Sequence, residues 1–387
     1  LFGCIIHFYI VDGLCKGKLY YYFVTVKGKV MIAITGGGTG GHIFPNAAII
    51  EELNKRGVRE IIWLGAGQGK EREWAEKLNV RFFGICTGKL RRYFSLKNIT
   101  DLMGVIFGVF QSFFILLRHR PSVLFSKGGF VSVPPVVASW LLRVPIITHE
   151  SDIEPGLATK IISRFASVVC VSFEDTESFF IKKKVVHTGN PVRSFVKDGD
   201  REKGLQFLGF QKDLPVVFVI GGSLGAASIN SAVREMCNTH KLNFNLAHQC
   251  GRGNLDKDLL RKDMYFPLEF VEKEMGDVLA AADLVVSRAG AGAIFEIGYM
   301  KKPSILVPLP KSKSRGEQIE NAHYFEKNGA SLIVRDENLN GGVLYETINR
   351  LLSDKKTLRM IGEKAGSLCR FGAEKSIADI VLGYCKQ

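Results

Sequence analysis

From Val30 the chain repeats one pattern: a short apolar run, a turn, then a stretch whose apolar positions recur at helical spacing. VMIAIT (30–35) opens the series and is followed by an amphipathic stretch, His42–Lys55. EIIWL (60–64), VRFFGIC (80–86), SVLFS (122–126), PIITH (145–149), SVVCVS (167–172) and KVVHT (184–188) continue it. Short runs rich in Val and Ile, buried on both faces and alternating with helices, predict an α/β fold with a parallel, doubly wound sheet. A polar, turn-rich segment, NPVRSFVKDGDREKG (190–204), breaks the series. It restarts at PVVFVI (215–220), with a helix over Ser228–Thr239 and runs FNLAHQ (244–249), LEFV (268–271), LVVS (284–287), SILVPL (304–309) and SLIV (331–334). The chain reads as two α/β units joined near residue 197. They open alike, since GGTGGH (37–42) and GGSLGA (221–226) each follow an apolar strand and precede a helix. Two similar domains facing a cleft is the simplest architecture.

Two stretches depart from this pattern. LMGVIFGVFQSFFILL (102–117) has only Gln111 and Ser112 as polar residues and lies between Arg91, Arg92 and Lys97 on one side and Arg118 and Arg120 on the other. It is shorter than the ~20 residues of a spanning helix. It reads either as a core helix or as a helix in the membrane interface, with basic flanks on anionic headgroups. The first thirty residues begin with Leu1, and their apolar part, Leu1–Val11, lacks a basic flank and a small-residue cleavage site. The expectation is that translation starts at Met31 and that 1–30 is an upstream leader, with a weak membrane anchor as the alternative.

The 387 residues are 46% hydrophobic and 23% charged, which excludes a disordered chain and a collagen. Eight cysteines form no CxxC pair and no His lies at zinc spacing, so they read as reduced thiols, mostly in the core. The net charge of +14 favours anionic partners: nucleic acid, acidic lipid or phosphorylated substrates. The basic residues are scattered, without the clustering or interleaved aromatics of a nucleic-acid module. Glycine, at 41 residues, is the compositional excess and is not periodic, so each glycine turn needs a local explanation.

GGGTGGH (36–42) contains Gly36-x-Gly38-x-x-Gly41, a spacing that lets backbone N–H groups at a helix start approach an anion. Dinucleotide binding also needs an acid after the second strand, where this chain has Gly65-Ala66-Gly67. A phosphate remains the better ligand, and no GxxxxGK[ST] is present for a nucleotide P-loop. SKGGF (126–130), TGNPVR (188–193), GGSLGA and SRAGAGAIFE (287–296) are further glycine turns at strand ends, where open α/β sheets bind ligands. The set implies one or two phosphate-rich ligands. His42, in the first turn of its helix, is a candidate base or a helix-start residue bonded to backbone. His149, Glu150 and Asp152 of HESD gather at another strand end. Asp198-Gly199-Asp200, Asp256-Lys257-Asp258 and the Lys182–Lys184 run read as solvated surface, and no metal constellation stands out.

GGGTGGHIFPN, GKLRRYFS, SKGGFVSVP, HESD, GNPVR, GGSLGA, SRAGAGAIFE and SRGEQIENA occur in an order that resembles the MurG family, from Met31 to about residue 370. These are N-acetylglucosaminyltransferases that complete the lipid-linked disaccharide of peptidoglycan. The resemblance implies the GT-B fold: two Rossmann-like doubly wound parallel-sheet domains facing a cleft. It divides the chain into an acceptor- and membrane-binding domain (31–196), a UDP-sugar domain (197–365) and a C-terminal helix (366–387) packing back on the first. It implies UDP-N-acetylglucosamine as donor, undecaprenyl-diphospho-muramoylpentapeptide as acceptor, inversion at the sugar carbon, and neither cofactor nor obligatory metal. It further implies a peripheral position on the anionic cytoplasmic face of the bacterial plasma membrane, with cell-wall synthesis proteins as partners and no nucleic acid.

Carried over residue by residue, the resemblance puts Ser223 and Arg193 on the donor diphosphate. The N–H groups of Ala291, Gly292, Ala293 and Ile294 point at the same group. Glu296 takes the ribose hydroxyls, the Val271 backbone uracil, and Gln318 and Asn321 the N-acetylglucosamine hydroxyls. Thr39, Gly40, Gly41 and Asp152 line the donor side of the cleft. Gly37, Gly38, Gly128, Gly129 and Phe130 cradle the acceptor diphosphate. His42 is the expected base, with Glu150 as the alternative. Four positions depart from the family pattern: Asp152 stands where Asn is usual, Leu224 replaces a common Gln, and Ala291 and Gly292 replace larger or polar residues. A glycolipid synthase with a diacylglycerol acceptor is the nearest competing activity, a nucleic-acid module and a dehydrogenase the more distant ones.

Overall fold

The computed structural model describes residues 30–38, 40–67, 70–88, 97–180, 184–210, 213–222, 224–256 and 264–385. Thirteen strands fall into two sheets. The first contains β1 (Met31–Thr35), β2 (Glu60–Ala66), β3 (Arg81–Ile85), β4 (Val123–Ser126), β5 (Ile146–Glu150), β6 (Val168–Val171) and β7 (Val185–His187), in the order β3-β2-β1-β4-β5-β6-β7. The second contains β8 (Val216–Ile220), β9 (Asn245–Gln249), β10 (Tyr265–Leu268), β11 (Leu284–Ser287), β12 (Ser304–Leu306) and β13 (Leu332–Ile333), in the order β10-β9-β8-β11-β12-β13. Every pairing in both sheets is parallel. Parallel strands need crossover helices, and these cover both faces, so Ile32–Ile34 and Val216–Val219 are fully buried.

Each sheet reverses its strand order once, between β1 and β4 and between β8 and β11. At such a switch point the two flanking loops diverge and leave a crevice at the strands' carboxyl ends. The turns Gly36–Gly38 and Lys127–Phe130 flank the first crevice, and Gly221–Ala226 and Arg288–Gly292 flank the second. Ten of the 41 glycines lie in these four turns.

The chain closes on its own beginning. The helix Ala373–Tyr384 places Ile377, Ala378, Val381 and Leu382 in the core of the first sheet beside Ile32, Ile34, Ile49 and Leu53. Arg56 pairs with Asp379 across the same contact. Between the sheets, Phe173 packs edge-on against Phe295 and Tyr324, with ring centroids 5.1 Å apart in both cases.

Two expected elements are corrected. LEFV (268–271) is not a strand: the strand lies three residues earlier, at Tyr265–Leu268, and Val271 follows it in a loop. Pro267 is tolerated there because, among the described residues, β9 is the strand's one neighbour at this sheet edge, so the missing N–H breaks no second ladder. The apolar run 102–117 sits inside a longer helix, Lys97–His119, which is long and apolar enough to cross a membrane by length and composition. Its face toward the protein carries Gly104 and Gly108, where a Cβ would press on the Thr87 and Cys86 carbonyls. Its other face exposes Leu102, Met103, Ile106, Phe107, Phe110, Phe114 and Leu117, with Phe114 64% exposed.

Candidate active site

The first crevice is built by packing from below. Gly36 lies against the Lys127 side chain, Gly38 against the Phe130 ring and Gly129 against the His42 imidazole, so side chains crowd each turn where a Cβ would stand. At φ 79° Gly129 also has a backbone that favours glycine. His42 is half-buried, and its Nδ1 lies 3.2 Å from the Lys127 carbonyl. A carbonyl only accepts, so Nδ1 carries the proton and Nε2 is left with its lone pair on the Gly129 side. Burial, with the Lys127 and Arg315 charges adding to it, pushes the His42 pKa down to about 3. The ring is neutral at physiological pH.

Lys127 is a lysine only 1% exposed. Its ammonium donates to Ser151 Oγ at 2.5 Å, and Ser151 Oγ donates to Asn190 Oδ1 at 2.9 Å, joining the ends of β4, β5 and β7. Burial pushes its pKa down to about 8, while Glu150 and Asp152 oppose the fall. His149 is fully buried and donates from Nε2 to the Gly189 carbonyl at 2.9 Å. Burial, then the Lys127 charge, hold its pKa well below the ordinary value. It ties β5 to the loop that carries Arg193 and does not reach the crevice as a free base.

Glu150 is spent on its own loop. Oε1 accepts from the Ser151 and Asp152 N–H groups at 2.8 and 3.1 Å, and Oε2 from Gly156 N–H at 3.2 Å. Asp152 points across the seam to the second sheet's domain. Asn321 Nδ2 donates to its Oδ1 at 3.0 Å and Arg315 Nη2 to its Oδ2 at 3.2 Å. Burial, then the neighbouring Glu150 charge, raise the Asp152 pKa to about 6. Asn321 is fully buried: its Oδ1 accepts from Ile153 N–H at 3.0 Å and its Nδ2 also reaches the Ala289 carbonyl. In this closed arrangement the amide expected to read a sugar holds the two domains together instead.

The second crevice is more open. A Cβ at Gly222, Gly290 or Gly292 would meet nothing within 4 Å. The helix Ala291–Tyr299 starts at its mouth. Ala293 and Ile294 direct their N–H groups inward to the Gly290 carbonyl, at 3.0 and 3.1 Å, so of the four amides expected at an anion only those of Ala291 and Gly292 have no bonded partner among the described residues. Arg193 and Glu296 form a fork-to-fork pair, Nε to Oε1 at 2.6 Å and Nη2 to Oε2 at 2.7 Å. The Arg193 guanidinium lies 4.5 Å from the Phe44 ring centroid and 4.9 Å from that of Phe195, and through Glu296 it reaches the second sheet's domain. Gln249 Oε1 accepts the Val271 N–H at 2.9 Å and its Nε2 donates to the Gly222 carbonyl at 3.1 Å. The Val271 carbonyl is thus the backbone group left for a base. Gln318 accepts from Leu309 N–H at 3.2 Å. Gly40 and Gly41 open the helix Gly40–Lys55 at the first crevice.

Thr39 and Ser223 lie outside the described residues, as do Arg91, Arg92, Asp258 and Lys182. Asp200 caps the helix Arg201–Leu208 by accepting from Lys203 N–H, and Asp256 pairs with Arg234. Glu71, Lys127, Gln249, Arg288 and Arg315 were not singled out from sequence. Lys127 and Arg288 lie inside glycine turns that were, whereas Glu71 offers no motif at all. Arg288 Nη1 donates to Asp336 at 2.7 Å and to the Val307 carbonyl, and Nη2 to Ser228, bracing the second crevice from behind.

Two family models match the chain: the glycosyltransferase family 28 N-terminal domain over residues 32–171 and the C-terminal domain over 216–380. A Clostridium botulinum protein named UDP-N-acetylglucosamine–N-acetylmuramyl-(pentapeptide) pyrophosphoryl-undecaprenol N-acetylglucosamine transferase is 42% identical over 355 residues, 92% of this chain and 99% of that protein. A Bacillus cereus protein of the same name, numbered 2, is 46% identical over 320 residues, 83% of this chain and 91% of its own length. Among solved structures, MurG of Acinetobacter baumannii matches with a TM-score of 0.73 at 24% identity, covering 92% of this chain and 99% of that one. UDP-GlcNAc 2-epimerase of Neisseria meningitidis matches at 0.64 and 14% identity, over 92% of this chain and all of that one, a likeness of fold alone.

Proposed function

The chain belongs to the MurG family within glycosyltransferase family 28, and from that premise we propose how its two crevices divide one reaction. It is a UDP-N-acetylglucosamine-dependent N-acetylglucosaminyltransferase of peptidoglycan synthesis, converting the undecaprenyl-diphosphate-linked muramoylpentapeptide, lipid I, to lipid II. In our reading the second crevice takes the donor. Uracil meets the Val271 carbonyl, the ribose hydroxyls donate to Glu296, and Arg193 holds that carboxylate while its remaining N–H groups reach the diphosphate. Ser223 and the Ala291 and Gly292 amides complete the diphosphate contacts. The first crevice takes the acceptor diphosphate on Gly37, Gly38, Gly128, Gly129 and Phe130. Gln318 and Asn321 read the sugar once the Asp152–Asn321 contact opens.

The step is a single inverting displacement. The muramoyl 4-hydroxyl oxygen bonds to the sugar's C1 while the bond from C1 to the diphosphate oxygen breaks and UDP leaves with its electron pair. The proton of the 4-hydroxyl goes to His42 Nε2. Alone, an imidazole with a pKa near 3 is a poor acceptor. Burial is the largest cause of that low value; two bound diphosphates offset the smaller part that comes from the Lys127 and Arg315 charges, and raise its basicity by that part when substrates are present. Glu150 has its carboxylate engaged by three backbone amides, which favours His42 over it.

The observation that carries the reading is the pairing of four of the five glycine turns at two switch points on either side of one seam, the fifth, TGNPVR, following the edge strand β7. Transfer of radiolabel from UDP-N-acetylglucosamine to the lipid acceptor, with and without chelator, tests it; transfer to diacylglycerol in its place would overturn it. His42→Ala is expected to lower turnover about 10²-fold or more with UDP affinity within about twofold. A collapse of UDP affinity instead makes His42 a donor-binding residue.

The enzyme works at the cytoplasmic membrane surface in this reading, with the helix Lys97–His119 lying in the interface. Its outward stripe is apolar where a surface helix is ordinarily polar, Arg118 and Arg120 follow it, and Trp140 and Leu141 of the adjoining helix are also exposed. Flotation with anionic phospholipid vesicles is expected for the wild type and lost in a Phe107→Ser, Phe110→Ser, Phe114→Ser variant. Equal flotation of both removes the helix from the membrane.

A further inference from the structure

Glu71 has no place in the chemistry above, yet it lies directly under the first glycine turn. It sits in the first turn of the helix Lys70–Lys77, is 1% exposed, and its Oε1 accepts the Gly38 N–H at 2.6 Å. A Cβ at Gly37 would overlap its carboxylate, and one at Gly65, on β2, would touch its stem at 3.4 Å. The Gly38 amide therefore donates to the Glu71 carboxylate and points away from the crevice. Gly37 has no positive φ, so the space it leaves, and not its backbone, is what requires glycine there.

We propose that Glu71 is a positioning residue of the acceptor site, its carboxylate clamping the Gly37–Gly38 turn from beneath and fixing the surface on which the acceptor diphosphate rests. The inference builds on the acceptor assignment of the first crevice made above. A charge-assisted hydrogen bond to a backbone N–H is among the stronger ones a side chain makes, and here it spans two loops 33 positions apart in sequence. Without it the turn has no partner holding Gly38, while the Lys127 and Phe130 contacts at Gly36 and Gly38 remain.

Both Michaelis constants measured for Glu71→Ala, Glu71→Gln, Gly37→Ala and the double variant Gly37→Ala/Glu71→Ala test this. Glu71→Ala is expected to raise the acceptor KM about tenfold and leave the donor KM within about twofold. Glu71→Gln keeps an oxygen for the Gly38 amide and restores the acceptor KM to within about threefold of wild type. Gly37→Ala clashes with the carboxylate when Glu71 is present, and the double variant, where the room exists, is expected to be no worse than Glu71→Ala alone. Equal rises in both KM values, or strictly additive effects, overturn the proposal. Inorganic diphosphate as a competitor separates the two levels of inference. If it does not compete with the acceptor in the wild type, the acceptor cradle falls and the proposal with it. If it competes and Glu71→Ala leaves the acceptor KM unchanged, the proposal alone falls.

Discussion

The two switch points carry similar glycine motifs whose surroundings differ, side chains under the first and partly open space at the second. At the first, Gly36, Gly37, Gly38 and Gly129 are glycine because Lys127, Glu71, Phe130 and His42 already occupy the space where a Cβ would stand. At the second, Gly222, Gly290 and Gly292 face open space, while Gly221 and Gly225 of the same turn are crowded mainly by backbone, of Ala226 and Cys250. A glycine turn that is filled by its own protein presents a preformed surface; one that is empty presents room. The difference suits a site that receives a lipid-borne diphosphate at its surface and a site that encloses a whole nucleotide sugar.

The largest expected effect comes from removing the charged anchor of the open side. Glu296→Ala leaves the Arg193 guanidinium, 7% exposed, without its carboxylate. UDP affinity, measured by calorimetry, is expected to fall on the order of 10²-fold, and breaking the buried pair costs about 3–5 kcal/mol of stability. Unchanged affinity would mean that the open crevice is not the donor site.

Next comes a pair of matched substitutions. Gly37→Ala is expected to destabilise by about 1–3 kcal/mol, the cost of overpacking. Gly292→Ala adds its methyl to empty space at a helix start and should stabilise by up to about 1 kcal/mol. Denaturant midpoints read both, and equal losses would erase the contrast between filled and open turns.

The smallest effect lies on the seam. Asp152 has a folded pKa of about 6, above its ordinary value. An acid raised in this way contributes stability below its unfolded pKa near 4 and loses it as pH rises through 6. Asp152→Asn is therefore expected to stabilise by about 1–2 kcal/mol at pH 8, with the gain vanishing near pH 4. A gain that does not vary with pH would mean that the Asp152 charge is not its source.

Much of the framework was legible in the chain because its determinants are local. Runs such as VMIAIT and PVVFVI are apolar throughout, and only a strand buried on both faces tolerates that between glycine turns. β10 differs from the apolar run LEFV because it takes in Pro267, which a strand accepts at a sheet edge, and edge position is a property of the whole sheet. The helix Lys97–His119 was read short because its first five residues, Lys97–Asp101, are polar apart from Ile99. The glycine turns of the site were legible, but their sorting into filled and open was not. Glu71, Arg315 and Gln249 act on partners 33, 163 and 22 positions away, and no local spacing encodes such contacts. Asn321 shows the converse: a recognisable motif position whose amide is bound across the seam in the unliganded protein.

The division of labour between the crevices is tested most directly by the two Michaelis constants of Gly292→Ala, a change that disturbs no packing and stands at the mouth of the open side. The account predicts a donor KM raised about tenfold or more, with the acceptor KM within about twofold of wild type. An acceptor KM raised while the donor KM stays at its wild-type value would contradict it.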